Sequence, residues 1–400
     1  MVDWAAHAAA RTSRLKPSAI REILKLTQRG DVISFAGGLP SPDLFPTTTI
    51  GAATERVLRR HGATALQYST TEGHPPLREW VAARYANVAA DDVQIVSGSQ
   101  QGLDLVAKCY LDPGDAVVVA APTYTGALRA FDPYQVRYRT VETDDDGMVP
   151  EALEAALAAG AKLLYVIPNF DNPTGTHLSL ERRHAVVELA GRYGVPILED
   201  DPYGELRFEG AELPHLRDLA PERVIHAGTF SKTLVPGFRL AWLIASPEAL
   251  EPIRRAKQAA DLHTSTFVQA IAVEITADGF LDEHLVKIRD HYRSQRGYLL
   301  DALDRELGGG DGFHWTRPSG GMFVWMTVPS AADGTPADTT ALAHDAVAAG
   351  VAYVPGESFY PDGGGLDGLR LSYSVATPEQ INTGIARLGE LLRRATLRDV

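Results

Sequence analysis

The sequence predicts an α/β fold in which a mostly parallel sheet is covered by helices on both faces. From about residue 93, short apolar runs alternate with segments of helical periodicity. Continuous apolar runs separated by helices are typical of parallel strands buried on both faces. The predicted strands lie at 93–96, 116–120, 163–167, 195–198, 224–227 and 240–244. Between two of them, 179–193 is predicted as a helix with Ser179 as its N-cap.

The C-terminal part of the chain has a different pattern. Residues 281–307 form a long amphipathic segment rich in Arg, Asp and Glu, followed by a strand-like run at 322–328, a helical segment at 339–349 and a strand near 369–373. We therefore predict a large α/β domain at 46–282 and a small α+β domain at 283–400. The first 45 residues are expected to pack with the small domain and to cover the functional site.

Composition and charge exclude several classes of function. The 400 residues include 38 basic and 51 acidic side chains, a net charge of −13, so nucleic acid is not an expected partner. Cys109 is the single cysteine and the histidines show no metal-ligand spacing, so neither a disulfide nor a metal site is predicted. The absence of a leader pattern and of roughly 18 consecutive apolar residues favours a cytoplasmic protein without a membrane span.

Lys232 is the first candidate for chemistry. It is one of only seven lysines, and it directly follows the predicted strand 224–227. A lysine at the end of a buried strand is unfavourable unless its pKa falls or its amine is used covalently. We predict a reactive amine, and the alternative is an ordinary lysine in a surface loop.

A second candidate is an anion-binding loop at 97–102, where Ser, Gly and Gln residues precede a predicted helix. Backbone N–H groups freed by glycine and the helix N-terminus can hold a phosphate. Arg239, seven residues after Lys232, can add a bidentate cation. The alternatives are a loop that only caps a helix and an arginine in an exposed salt bridge.

Polar residues also follow the predicted strands 195–198 and 163–167. Asp200 lies at a strand end, where ligands bind in open α/β sheets, with Tyr203 three residues on. Asn172 begins the run Asn-Pro-Thr-Gly, which by itself also makes a good turn. An amine, an anion cradle, an acid and donors for a ring hydroxyl are the parts that a pyridoxal 5′-phosphate (PLP) enzyme needs.

The ordered set of these motifs resembles the class I/II aminotransferases of PLP fold type I over nearly the whole chain. The set comprises Asn172-Pro173-Thr174-Gly175, Asp200-x-x-Tyr203, Ser231-Lys232 with Arg239, and Arg370-Leu371-Ser372-Tyr373. The resemblance implies a seven-stranded sheet, a Schiff base between PLP and Lys232, and proton transfer by the same lysine.

The resemblance also implies roles for the other residues. Asp200 would pair with the pyridine nitrogen, and Asn172 and Tyr203 would hold the ring oxygen. Tyr124 would stack on the ring, and Arg370 would bind the substrate α-carboxylate next to Asn172. The phosphate ligands would be Ser99, Gln100, Thr229 and Arg239, and Ser231 would also bind the cofactor. Tyr68 would reach the phosphate of the partner subunit, which implies a homodimer with shared active sites.

Two positions depart from the family pattern. Asp171 stands where related sequences commonly have Gln, and its carboxylate either alters the electrostatics near the ring or faces solvent. Thr229 stands where a Ser is frequent, and its hydroxyl can serve in the same way.

The N-terminal runs 18–25 and 33–42 are similar to those of the 2-aminoadipate and kynurenine aminotransferase subgroup. In that subgroup a mobile helix closes over the substrate side chain and a Gly-Gly turn, here including Gly38, lies near the substrate. The resemblance implies that Arg21, with Ser18 beside it, binds a distal carboxylate. The alternative is an ordinary arginine on a helix surface.

The predicted reaction is a ping-pong transfer of an amino group from an L-amino acid to a 2-oxo acid such as 2-oxoglutarate. Donors of the 2-aminoadipate or glutamate type are expected, with aromatic and branched-chain donors left open. A PLP lyase is the alternative among enzymes. An aminotransferase-like regulator domain is the alternative outside enzymes, and it would require a DNA-binding domain of roughly 70 residues ahead of residue 18.

Overall fold

The computed structural model describes residues 1–15 and 32–396. Fourteen strands are present in these residues. In chain order they are β1 (Ile33–Ser34), β2 (Val93–Val96), β3 (Ala116–Ala121), β4 (Arg137–Asp144), β5 (Gly147–Met148), β6 (Leu163–Val166), β7 (Ile197–Asp200), β8 (Val224–Thr229), β9 (Ala241–Ile244), β10 (His314–Trp315), β11 (Phe323–Thr327), β12 (Val351–Ala352), β13 (Val354–Pro355) and β14 (Gly368–Ser372).

The helices surround the sheets and include several that the periodicity predicts. In chain order they are α1 (Thr47–Ala65), α2 (Pro75–Ala82), α3 (Ser99–Tyr110), α4 (Thr125–Phe131), α5 (Pro150–Ala158), α6 (Leu180–Arg192), α7 (Leu216–Leu219), α8 (Pro247–Asp261), α9 (Thr266–Thr276), α10 (Phe280–Leu307), α11 (Thr339–Ala348) and α12 (Pro378–Thr396). The Ser179 hydroxyl accepts a hydrogen bond from the Arg182 backbone N–H at 3.3 Å, so the predicted N-cap of α6 is confirmed.

The main sheet has the strand order β2-β9-β8-β7-β6-β3-β4-β5. Strands β4, β3, β6, β7 and β8 pair in parallel, and β9 is antiparallel to both β8 and β2. The prediction of a mostly parallel sheet is confirmed. The two-residue strand β5, which pairs antiparallel with β4, extends the seven strands that the family resemblance implies.

Strand β4 is a long strand of the main sheet that the pattern of apolar residues does not predict. It pairs in parallel with β3 from Arg137 to Glu142, yet its side chains are mostly polar and Val141 is its single buried residue. Its position beside the short edge strand β5 leaves much of it in contact with solvent. Backbone hydrogen bonds to β3 hold it in the sheet, so it carries no continuous apolar run.

Two smaller sheets lie outside the main one. The first has the antiparallel order β10-β11-β14-β13, and the second pairs β1 in parallel with β12 through Ile33 and Val351. Phe35, just after β1, is fully buried. The predicted domain boundaries at 45 and 282 stay a prediction.

The parallel strands place the functional candidates at one edge of the main sheet. Because β6, β7 and β8 run in the same direction, their carboxyl ends meet at that edge, and Asn172, Asp200 and Lys232 lie at or just after those ends. None of the helices in the described ranges combines the length and apolarity needed to cross a membrane.

Candidate active site

A cleft of about 700 Å³ lies at the carboxyl edge of the main sheet. It brings together most of the residues predicted from the sequence, although they come from widely separated parts of the chain. The predicted residues that line the cleft are Gly38, Ser99, Gln100, Tyr124, Asn172, Asp200, Tyr203, Thr229, Ser231, Lys232, Arg239 and Arg370.

Lys232 projects into this cleft from the turn after β8. Its Nζ donates a hydrogen bond to the Gly38 carbonyl at 2.9 Å. Burial, followed by the charges of Arg370 and Arg239, lowers the pKa of the lysine to about 8. A larger fraction of the amine is therefore neutral near pH 7 than for an exposed lysine, and a neutral amine is the form that attacks an aldehyde.

Asp200 ends β7 and is 2% exposed. Its Oδ2 accepts a hydrogen bond from the Tyr165 hydroxyl at 2.8 Å, whereas its buried Oδ1 has no partner within the described residues. Burial, with a contribution from the Asp201 charge, raises the pKa of Asp200 to about 7. A buried acceptor without a donor costs about 1–3 kcal/mol. The site therefore fits a cationic N–H donor, which the protonated ring nitrogen of PLP would supply.

Tyr165, the buried partner of Asp200, is a residue that the sequence did not identify as part of the site. It lies in the middle of β6 within the run LLYVI, which predicts only a buried strand. A buried tyrosine usually finds a partner for its hydroxyl. That rule is the one signal in the sequence that points to Tyr165, and it does not name Asp200 as the partner.

Arg370 lies on β14, lines the cleft and is 2% exposed. Its guanidinium donates to Asn172 Oδ1 and to the Ala36 carbonyl, each at 2.7 Å, and lies 4.3 Å from the Phe323 ring centroid. Burial lowers its pKa to about 10. Within residues 1–15 and 32–396 no carboxylate pairs with it. A buried guanidinium without an anionic partner is suited to bind the carboxylate of a ligand.

Asn172 links Arg370 to Tyr203. The Asn172 Nδ2 donates to the Tyr203 hydroxyl at 3.4 Å, while its Oδ1 accepts from Arg370. Burial raises the pKa of Tyr203 far above its usual value, so its hydroxyl stays protonated and can donate to a ligand oxygen. The Tyr203 ring packs edge-on against Phe323 with centroids 5.8 Å apart.

The loop before α3 has the form of an anion cradle. Gly98 has φ of +89°, and a Cβ at this position would collide with the guanidinium of Arg239. The arginine therefore occupies the space that the glycine leaves beside the first turn of α3, which begins at Ser99. The positive charge of Arg239 and the free N–H groups at the N-terminus of α3 can therefore bind the same anion.

Two more predicted residues complete the wall of the cradle. The Thr229 hydroxyl lies 3.0 Å from the Ser231 hydroxyl and 3.1 Å from the Leu240 carbonyl, and it also accepts the Ser231 backbone N–H at 3.1 Å. Threonine therefore fits at the position where serine is frequent. Gln100 Nε2 donates to the Gly126 carbonyl at 2.7 Å, which ties the cradle to α4.

Tyr124 immediately precedes α4. A side chain at Gly126 would collide with the Tyr124 ring, so glycine is required for the ring to lie where it does. Burial raises the pKa of the Tyr124 hydroxyl. The ring is thereby placed as one wall of the cleft.

Asp171 is half-buried and accepts a hydrogen bond from the Thr174 hydroxyl at 3.1 Å. It shares a small cavity of about 20 Å³ with Tyr165, the partner of Asp200. Burial raises the pKa of Asp171 to about 7, and the Asp200 charge acts in the same direction. The influence of this carboxylate on the electrostatics near the ring stays a prediction.

Among the described residues that were predicted for the site, Tyr68 does not line the cleft. Tyr68 is 78% exposed and packs edge-on against His263 with ring centroids 5.8 Å apart. The predictions for Ser18 and Arg21 lie outside the described residues.

Comparison with known proteins gives a consistent result. The profile of the family described as aminotransferase class I and II matches residues 31–388. The chain is 44% identical to a 2-aminoadipate transaminase of Thermus thermophilus, over 98% of both chains. It is 42% identical to the aromatic-amino-acid aminotransferase 1 of Thermococcus litoralis, over 98% of this chain and 95% of that protein.

Among solved structures, the α-aminoadipate aminotransferase LysN from Thermus thermophilus, complexed with N-(5′-phosphopyridoxyl)-L-leucine, superposes with a TM-score of 0.90. The two sequences are 42% identical over 98% of this chain and 99% of that one. The phosphopyridoxyl group in that crystal structure is a derivative of PLP.

Proposed function

Since this chain belongs to the class I and II aminotransferases and is a PLP-dependent aminotransferase, we propose that it moves the amino group of an L-amino acid to a 2-oxo acid such as 2-oxoglutarate. The proposed donors are of the 2-aminoadipate or glutamate type, with aromatic and branched-chain donors as alternatives. The observation that carries the proposal is a pair of buried cleft atoms that have no hydrogen-bond partner within the described residues, the Nε of Arg370 and the Oδ1 of Asp200.

The named relatives support this range of donors. One is a 2-aminoadipate transaminase and another an aromatic-amino-acid aminotransferase, at similar identity to this chain. Gly38 lies within reach of Lys232 through the 2.9 Å hydrogen bond of its carbonyl, so the Gly-Gly turn borders the substrate position. Arg21 and Ser18 are proposed to bind the distal carboxylate of a dicarboxylic donor.

PLP, when bound, supplies an electron-withdrawing ring that stabilises negative charge at the substrate Cα. Asp200 offers its Oδ1 to the ring nitrogen, and the positive charge there would lower the pKa of the carboxylate again. The cradle around Ser99 and Arg239 holds the phosphate. Asn172 and Tyr203 hold the ring oxygen.

Lys232 is proposed as both the covalent attachment point and the acid–base group. With PLP bound, the free amine of Lys232 would take the proton from the substrate Cα as a base and would return it as an acid. The pKa near 8 suits both directions of this transfer close to neutral pH. Arg370 fixes the α-carboxylate and so decides which bond at Cα faces the lysine.

A homodimer and a cytoplasmic location are also part of the proposal. Tyr68 is largely exposed and lies outside its own cleft, which suits a side chain that reaches the phosphate site of a neighbouring subunit. Sedimentation velocity tests the dimer, and Tyr68→Phe should weaken PLP binding in it. Cell fractionation tests the location.

The deciding experiment mixes the purified holoenzyme with single amino acids and no oxo acid. A transaminase loses the visible absorbance of lysine-bound PLP and forms one equivalent of the matching oxo acid, without free ammonia. Continuous ammonia release without an acceptor would instead indicate a lyase. Comparing 2-aminoadipate and glutamate with phenylalanine and leucine then ranks the donor classes.

A further inference from the structure

A buried lysine lies directly behind the anion cradle. Lys257, on the last turns of α8, is fully buried. Its Nζ lies 2.9 and 3.0 Å from the two carboxylate oxygens of Asp261 and donates to Gln101 Oε1 at 3.0 Å. Three acceptor oxygens therefore surround the ammonium group, and neither Lys257 nor Asp261 is among the described residues that line the cleft.

The same network fixes both ends of the cradle loop. Gln101 Oε1 accepts the Ser97 backbone N–H at 2.7 Å, and Gln101 Nε2 donates to Asp261 Oδ2 at 2.7 Å. The Ser97 hydroxyl donates to the same Asp261 oxygen at 3.0 Å. Gly98, Ser99 and Gln100 are the three residues between these two anchors. The Gly98 N–H is held by the Val96 carbonyl at 2.9 Å, and the direction of the Ser99 and Gln100 N–H groups is linked to α8 through the two anchors.

The network is in turn anchored on α9. The Thr264 hydroxyl lies 3.1 Å from the Ser97 hydroxyl, and the Thr264 carbonyl accepts from Gln269 Nε2 at 2.8 Å. Gln269 is fully buried, and its Oε1 accepts the His74 backbone N–H at 2.8 Å. Elements from three parts of the chain therefore meet at the loop.

Stability alone does not account for an ion pair at this place. Burying an ammonium group costs several kcal/mol of desolvation, and apolar residues of similar volume often serve equally well. What an apolar residue cannot do is orient Gln101 and Ser97 through hydrogen bonds. Lys257 is fully buried and Asp261 is partly exposed, and a hydrogen-bond network anchored on a buried ammonium group favours one conformation of the groups that it contacts.

We propose that Lys257 and Asp261 are positioning residues that hold the loop 97–101 in the conformation that binds the phosphate of PLP. The inference rests on the proposed function, in which Ser99 and Arg239 bind that phosphate. Lys257 acts through Gln101 and Asp261 acts through Ser97. Neither contacts the cofactor.

The test measures release of PLP from the holoenzyme on dilution into buffer without PLP, and rebinding by absorbance titration. Lys257→Met and the isosteric Asp261→Asn should each raise the dissociation constant of PLP about tenfold, as expected for loss of one charge-assisted interaction. At saturating PLP, kcat should stay within about twofold of the original enzyme, since the reacting groups are unchanged.

The chain offers a matched control on the same helix. Arg255 pairs with Glu251 at the same i,i+4 spacing on α8, but both side chains are more than half exposed. Arg255→Met should leave PLP release unchanged. Arg239→Gln is the positive reference, because it removes a proposed phosphate ligand directly.

The outcomes separate the inference from its premise. If Lys257→Met and Asp261→Asn lower the melting temperatures of apo- and holoenzyme equally while PLP release stays the same, the pair is only structural and the inference is wrong. If Arg239→Gln leaves PLP affinity intact, the proposed phosphate site is wrong instead. If Lys257→Met fails to fold, Asp261→Asn decides alone.

Discussion

Three consecutive acidic residues at the end of β7 have opposite environments on the two sides of the sheet. Glu199 and Asp201 face the rear, and each has a full set of partners. Glu199 accepts the Leu216 N–H at 2.7 Å and pairs with His226 at 2.9 Å. Asp201 accepts Asn169 Nδ2 at 3.0 Å and the Gly204 N–H at 2.9 Å. Asp200 faces the cleft, and in the described part of the chain its Oδ1 has no hydrogen-bond partner.

The electrostatics of the two sides follow from these partners. Burial alone would raise the pKa of Asp201, but His215 and His226 lower it to about 2. At Asp200 burial dominates, and the pKa rises to about 7. The carboxylates of Glu199 and Asp201 thus have hydrogen-bond partners within the protein. The carboxylate of Asp200 has room for a cationic ligand in the cleft. A buried carboxylate whose oxygens are all hydrogen-bonded within the protein indicates a structural role. A buried carboxylate with an oxygen that lacks a partner indicates a ligand site.

The largest effect is expected at the cleft lysine. Lys232→Ala should reduce kcat more than about 10³-fold, because it removes both the covalent attachment and the proton carrier. The visible absorbance of lysine-bound PLP should disappear while the far-UV circular dichroism stays the same. A variant with ordinary turnover would contradict the role of Lys232.

The neighbouring acids give the most direct test of the comparison. Asp200→Asn should lower kcat/KM about 10²-fold or more, because the ring nitrogen loses its anionic partner. In the apoenzyme at pH 7 it should not lower the free energy of unfolding, because it removes a buried carboxylate whose raised pKa costs stability there. Asp201→Asn should do the reverse. It should keep kcat/KM within a fewfold and lose about 2 kcal/mol of stability at pH 7.

The pH dependence of stability has opposite signs for the two acids. The depressed pKa of Asp201 contributes stability that is present above about pH 4 and is lost as the pH falls towards 2. The raised pKa of Asp200 makes the apoenzyme less stable as the pH rises from about 4 to 7. Urea unfolding of the apo forms at several pH values measures both, and each Asn variant should abolish its own slope. Equal pH profiles for the two variants would remove the distinction between the sides.

A smaller effect is expected for the one protein partner of Asp200 in the described chain. Tyr165→Phe removes the 2.8 Å hydrogen bond and leaves both carboxylate oxygens without a donor. The pKa of Asp200 should rise further, and kcat/KM should fall about tenfold. The pH–rate profile is the measurement, with an upward shift of its acidic limb. An unshifted profile would mean that Tyr165 serves packing alone.

Sequence reasoning succeeds where local pattern and topology coincide. The aliphatic strands, the cap at Ser179 and the position of Asp200 and Lys232 at strand ends all follow from short windows of sequence. Strand β4 does not, because its backbone pairing with β3 needs no apolar side chains. Tyr165 and Lys257 were missed for a related reason. Their partners, Asp200 and Gln101, are 35 and 156 residues away in the chain.

The most selective effect is expected for the predicted distal clamp. Arg21→Ala should lower kcat/KM for 2-aminoadipate and glutamate about tenfold, the usual scale for one charge-assisted contact with a ligand. Leucine has no distal carboxylate, so its kcat/KM should change by less than about twofold. Arg21→Lys should recover part of the loss, because a cation remains but the bidentate geometry does not.

The comparison of donors decides between the two readings of Arg21. A selective loss would show that the cleft holds a second carboxylate in addition to the one proposed for Arg370. Equal losses for leucine and 2-aminoadipate would remove the clamp and leave Arg21 as a general element of the fold. Arg370→Lys supplies the opposite pattern as a reference, since every amino acid carries the α-carboxylate and all donors should suffer alike.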